Sequence, residues 1–121
     1  MKLLEAITQL QDQKPNQYDD QTLCNWLYEL DGKLYEEILK WHEGEWQRPK
    51  PYDLIQDAEK ELLVPAPYDQ LYVKYLFAQV DFANADYARY NNSMVMYNTA
   101  LSEFTNWINR EYLPIQQRVK V

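Results

Sequence analysis

From Tyr68 to Leu113 the chain contains neither glycine nor proline, and its large apolar residues recur in steps of three and four. Tyr72, Leu76, Val80, Ala83, Tyr87, Tyr90, Met94, Tyr97, Leu101, Phe104 and Ile108 carry that phase. Steps of three and four return a side chain to one face of a helix, whereas a strand needs steps of two. The run is therefore read as helical. A single helix over all of it would be ~66 Å long at 1.5 Å per residue, a rod that would need partner chains to cover it. Asn91-Asn92-Ser93 offers a shorter solution. Asn91 can take the left-handed position after a helix end, and Asn92 or Ser93 can cap the next helix. A break there leaves two helices of about 20 residues each, which suits a bundle. The expectation is a C-terminal helical hairpin broken at Asn91–Ser93, with one continuous long C-terminal helix as the alternative.

The remaining prolines and glycines cluster and so mark the other breaks: Pro15, then Gly44 with Pro49 and Pro51, then Pro65 and Pro67, and finally Pro114. Tyr-Asp stands at 18–19, 52–53 and 68–69, each time before a helical pattern. An aspartate carboxylate accepts from the free N–H groups of a first turn, so Asp19, Asp53 and Asp69 are read as N-caps. Tyr18 with Leu23, and Tyr68 with Val73, have the spacing of a hydrophobic staple, and Gln56 completes a capping-box variant after Asp53. The second helix is expected from about Asp20 to Trp41 through Leu23, Leu27, Leu30, Leu34 and Ile38. Gly32 lies inside it at a cost of ~1 kcal/mol relative to alanine, which points to another backbone passing close. Short helices are expected over 3–11 and 54–62. The fold class is all-α, a small helical bundle: residues 1–113 form a single α-helical domain, and 114–121 a C-terminal arm, since Pro114 cannot continue the preceding helix without disrupting it.

A chain of 121 residues with a net charge of -7 is most simply one domain, and it is not a simple phosphate binder, because such proteins neutralise phosphates with Lys and Arg. No apolar run approaches the ~20 residues of a membrane span, and the opening residues, with Glu5, lack a signal peptide's apolar middle. The single cysteine, Cys24, permits no internal disulfide and fits a reducing compartment.

Catalytic and metal chemistry find little footing. His42-Glu43 begins a His-Glu-x-x-His pattern, but position 46 is Trp46. One His and one Cys make no zinc set, so no metal or cofactor is expected. Glu36-Glu37 diverge by about 100° on a helix, and with Glu59 and Glu61 they read as solvated surface. Cys24 lies beside the apolar stripe and reads as an inert thiol. There is no Ser-His-Asp pattern, phosphate-cradling glycine loop or dinucleotide fingerprint. These features argue against an enzyme.

Eleven tyrosines and four tryptophans are more than a core of this size needs. Such side chains are enriched at protein interfaces. Those off the stripes, Tyr28, Tyr35, Trp46, Tyr75 and Trp107, are candidates for an assembly surface. The tail "PIQQRVKV" adds Arg118 and Lys120, basic residues that can reach the acidic body of a neighbouring subunit.

The segments "KPNQYDDQTLCNWLYELDGKLYEEIL", "ELLVPAPYDQLYVKYL" and "DYARYNNSMVMYNTALSEFTNWINREYLP" resemble small morphogenesis proteins of tailed phages and prophages of Gram-positive bacteria, similar to head–tail connector (adaptor) proteins. The resemblance implies a non-enzymatic structural subunit that joins a ring homo-oligomer beneath the portal. Its partners would be the portal and tail-completion proteins, with DNA passing nearby and not specifically bound. It further implies a location in the virion, and in the host cytoplasm during assembly, with no membrane. The alternative is a small acidic phage protein that binds and inhibits a host nucleic-acid-binding protein. Against this, Lys33, Lys40, Lys50, Lys60, Lys74, Arg89 and Arg110 interrupt the carboxylates that would have to imitate phosphates.

Overall fold

The computed structural model describes residues 1–115. Among these, α1 (Leu3–Gln13), α2 (Asp20–Glu37), α3 (Leu54–Asp57), α4 (Leu71–Ala83) and α5 (Tyr87–Glu111) form an all-α bundle with one 3-10 turn at Leu39–Trp41. α4 and α5 pair as a hairpin, and α1 and α2 pack on α4. α4 is therefore the central element. It buries Leu71, Tyr72, Val73, Leu76, Ala78, Val80 and Asp81, more than one stripe's worth. None of the helices is long and apolar enough to cross a membrane.

The expected caps hold at two of three sites. Asp19 accepts from Thr22 N at 2.9 Å and starts α2. Asp53 accepts from Ile55 N at 2.9 Å and starts α3. The reciprocal bond at α3 comes from Asp57, whose carboxylate accepts from Asp53 N at 2.9 Å, and not from Gln56. Asp69 is no cap. α4 begins two residues later behind Gln70, without a side-chain cap, and the Asp69 carboxylate lies 3.1 Å from the Met1 amino group.

Two elements, α3 and α2, end earlier than the apolar spacing predicts. α3 stops at Asp57, because the next residues are taken up by α1. Leu3 N donates to Lys60 O at 2.9 Å and Leu4 N to Ala58 O at 3.0 Å, which satisfies donors that α1 leaves free at its own start. α2 ends at Glu37, where Ile38 leaves helical geometry at φ -127°. The turn brings Leu39 fully into the core and puts Trp41 at the surface, 42% exposed. Gly32 stays helical, as expected, but a Cβ placed there would meet nothing within 4 Å. Among the described residues no backbone passes close to it, contrary to the expectation from the sequence.

The C-terminal hairpin exists, but it turns at Asn84–Asp86 and not at Asn91–Ser93. Asn91, Asn92 and Ser93 all lie inside α5. Ala85 takes the left-handed position with φ 57°. Its N–H donates to Phe82 O at 2.9 Å, and Asp86 N donates to Asp81 O at 2.9 Å, the two bonds of a Schellman motif. Asp86 then accepts from Arg89 N at 3.2 Å and caps α5. The three-and-four phase crosses this turn by coincidence. Ala83 and Tyr87 belong to it numerically but are exposed, while Tyr97, Phe104 and Ile108 return to the core.

Beyond α5 the chain runs extended. Glu43 N donates to Leu113 O at 2.8 Å and Ile115 N to Trp41 O at 2.7 Å. Pro114 and Ile115, the first residues of the expected 114–121 arm, are thus tied to the bundle, and the rest of it lies outside the described residues. Arg118 and Lys120 lie outside the described residues.

Candidate functional site

The apolar core encloses a polar cluster. Asp31 on α2 is fully buried, and Tyr52 and Tyr72 donate to its two carboxylate oxygens at 2.6 Å each. Leu63 N adds a long contact at 3.4 Å. The Tyr72 hydroxyl also accepts from Val64 N at 2.8 Å. One carboxylate thus fastens α2, α4, the segment before α3 through Tyr52, and the middle of the segment between α3 and α4 through Leu63. Desolvation raises the Asp31 pKa, and the two phenol hydrogen bonds oppose that rise. Burial and the neighbouring carboxylate push both phenols above the ordinary tyrosine range. The Asp31 carboxylate is fully buried, with both oxygens hydrogen-bonded inside the core. Its role is to hold the fold.

A second buried acid, Asp81 at the end of α4, contacts the Lys14 ammonium and accepts from Ser93 Oγ at 2.7 Å. The Lys14 ammonium also lies 5.3 Å from the centre of the Phe77 ring. This cluster locks the end of α1 to both arms of the hairpin, and it explains why a serine faces inward within α5.

The residues weighed for catalysis are occupied elsewhere. The His42 ring bridges the Ile38 carbonyl at 2.8 Å and the Asn109 side chain at 2.9 Å, tying the loop after the 3-10 turn to α5. Glu36 pairs with Lys40 at 2.6 Å and with Arg48, while Glu37 is exposed. Glu59 meets Lys2 at 2.7 Å, and Glu61 meets the Met1 amino group at 3.1 Å. Burial pushes the Cys24 thiol up to about 11, so the thiolate a nucleophile requires is disfavoured. No group of three potential metal ligands occurs among the described residues.

The off-stripe aromatics are half-buried and pack against the core. Trp46 and Trp107 meet through Tyr112, at 5.1 and 5.6 Å between ring centres, and Trp107 stacks on Tyr68 at 5.2 Å. Tyr75 packs on Tyr97 at 5.3 Å, apart from that group. Tyr28 stands edge-on to Tyr52, and Tyr35 lies under the Arg48 guanidinium at 5.2 Å. Tyr28 and Arg48 line one open groove of about 410 Å³ along α2, together with Gly32 and Pro49. Glu29, Lys33 and Glu37 stand exposed along it.

Most of the exposed apolar surface is made by residues that periodicity assigned to the core or left unassigned. At the hairpin turn Phe82 is 55% and Tyr87 58% exposed, and Phe82 packs on Tyr87 and Tyr90 at 5.9 and 5.2 Å. At the far end of α5 Leu113 is 70% exposed, and Ile115 and Trp41 are also exposed. The only sequence signal for the first cluster was Asn84 beside Ala85-Asp86, a turn without glycine.

No family model, curated protein or solved structure matches this chain.

Proposed function

We propose that this chain is a non-enzymatic assembly subunit that joins copies of itself head to tail, as a phage head–tail connector ring would require. The observation that carries the reading is that, besides Ile55 and the mid-helix Val95 and Met96, unlike exposed apolar groups stand at opposite ends of α5. Phe82 and Tyr87 make one, and Trp41, Leu113 and Ile115 the other. The helix between them is ~36 Å long at 1.5 Å per residue. Unlike patches on opposite ends favour a heterologous contact, in which one end of a subunit meets the other end of its neighbour. Such contacts close into rings when the rotation between subunits allows it. Aromatic and aliphatic side chains of this kind supply the desolvated centre of an interface. The phage setting rests on the sequence resemblance, and the acidic charge of the chain suits a conduit that does not retain DNA.

Sedimentation velocity across a concentration series tests this. Phe82→Ser/Tyr87→Ser and Leu113→Ser/Ile115→Ser should each be monomeric. An equal mixture of the two should form a dimer and go no further, because each variant keeps one intact end. A wild-type chain that stays monomeric at the highest concentration, or a mixture that does not complement, would refute head-to-tail assembly. Absence of the chain's peptides from purified phage particles would refute the virion placement.

A further inference from the structure

Ile55 is the most exposed large apolar side chain of the described residues, at 93%, and it belongs to neither end of α5. It stands on α3, which packs on α1 and α2. A branched aliphatic side chain left this far in water keeps its hydrophobic free energy unspent, and it fills no cavity of its own chain. Asp53 and Asp57 stand two residues to either side of it. The α3 backbone holds both carboxylates, through Ile55 N and Asp53 N at 2.9 Å each. Among the described residues neither forms an ion pair.

A hollow of matching character lies elsewhere on the bundle. Val73 and Phe77 of α4 and Met96 of α5 line a slot of about 90 Å³, with Gln13, Lys74 and Ser93 among its polar lining. α3 leans on the first turn of α1, where Leu4 N donates to Ala58 O at 3.0 Å. The slot lies instead at Gln13, the last residue of α1, ~14 Å along the helix. The Ser93 hydroxyl is already given to Asp81 at 2.7 Å. Lys74 is half-buried and, among the described residues, in no ion pair. An apolar slot with an uncommitted ammonium beside it suits an apolar group that carries negative charge next to it. Ile55 between two carboxylates is such a group. The size agrees, since a cavity of ~150 Å³ takes benzene and this slot is somewhat smaller.

We propose that Ile55 of one subunit plugs the slot at Val73, Phe77 and Met96 of a second copy, with the partner subunit's Lys74 facing Asp53 and Asp57. Knob and hollow are different surfaces, so the contact is heterologous and runs in the same sense as a contact between unlike ends. It rests on the head-to-tail reading. Burying one isoleucine returns less free energy than two subunits lose in translational and rotational freedom. The plug therefore adds to end-to-end assembly and fixes its register, and it does not assemble subunits whose ends are blocked.

Disulfide trapping in the full chain tests this, Cys24 being buried. Concentrations are set where the wild-type chain assembles in sedimentation velocity. Ile55→Cys chain mixed with Met96→Cys chain should give a 55–96 disulfide between subunits under mild oxidation, and neither variant alone should cross-link. Ile55→Ala should raise the concentration for half-assembly about tenfold, and Lys74→Glu should raise it as well, with circular dichroism unchanged in both. If the wild-type chain assembles but no 55–96 disulfide forms, or if Ile55→Ala assembles as the wild type does, the plug is overturned and head-to-tail assembly stands. A 55–55 or 96–96 disulfide in the single variants means that a face meets its own copy, and this also overturns the plug. A wild-type chain that stays monomeric overturns both.

Discussion

The network at Asp31 makes a quantitative prediction, because its two phenols differ in one respect. Tyr52 donates a single hydrogen bond, to Asp31. Tyr72 donates to Asp31 and also accepts from the buried Val64 N. Tyr52→Phe removes one charge-assisted hydrogen bond and leaves Asp31 Oδ2 with only the 3.4 Å contact from Leu63 N. Such a bond is worth ~1.5–3 kcal/mol. Tyr72→Phe removes the equivalent bond and also orphans a backbone donor, which adds ~1–3 kcal/mol. The expected losses are therefore about 2 kcal/mol for Tyr52→Phe and about 4 kcal/mol for Tyr72→Phe. Urea unfolding followed by tryptophan fluorescence measures both. The double variant should lose more than the sum, because the buried carboxylate then keeps no short hydrogen bond.

The sign with pH follows from Asp31. Its pKa is raised in the folded state, so between the ordinary carboxylate value of about 3.9 and that raised value the native chain holds the extra proton, and stability falls as pH rises through this window. Removing a phenol that lowers the Asp31 pKa widens the window upward. The loss from Tyr72→Phe should therefore be larger at pH 7 than at pH 4. If Tyr72→Phe costs no more than Tyr52→Phe, or if its cost does not shrink in acid, the assignment of Asp31 as the polar keystone is wrong.

Further perturbations separate local from tertiary effects. Asp19→Ala should cost ~1 kcal/mol in thermal or urea unfolding as a lost N-cap, whereas Asp69→Ala should shift only the coupling to the Met1 amino group, seen as a changed pH dependence above neutrality. Ala85→Gly should raise stability by ~1 kcal/mol in the same urea assay, since glycine takes the left-handed turn position without the alanine penalty. Gly32→Ala should add up to ~1 kcal/mol of helix propensity, because the new methyl meets no neighbour among the described residues; a loss of stability in the urea assay would refute this. Lys14→Met leaves Asp81 buried with Ser93 as its remaining hydrogen-bond donor and should cost about 2 kcal/mol. That is below the ~3–5 kcal/mol of a fully buried pair, because a fifth of the Lys14 side chain stays in water.

Local chemistry made much of the fold legible in the sequence. The helical class, the caps at Asp19 and Asp53, the span of α1 and the persistence of α2 through Gly32 each depend on neighbours a few residues apart. Their signals are spacing and side-chain-to-backbone bonds, which a linear reading can see. The hairpin was legible as a necessity of length, but its turn was not. Asn91-Asn92 had the right residue types, yet the chain reverses at Asn84-Ala85-Asp86. There Asp81 is held by Lys14 and Ser93, contacts between residues distant in sequence, and these fix where α4 ends. Tertiary contact likewise cut α3 short, since α1 took its backbone acceptors, and made the Asp31–Tyr52–Tyr72 network from three separate segments. The candidate surfaces follow the same division. Composition called for an aromatic interface, but burial decided which rings are left outside. Trp46 and Trp107 turn inward on Tyr112, and Phe82 and Tyr87 are exposed because the turn carries them past the end of the packed core. Periodicity locates a helix face; whether anything covers that face is set by where the other helices stop.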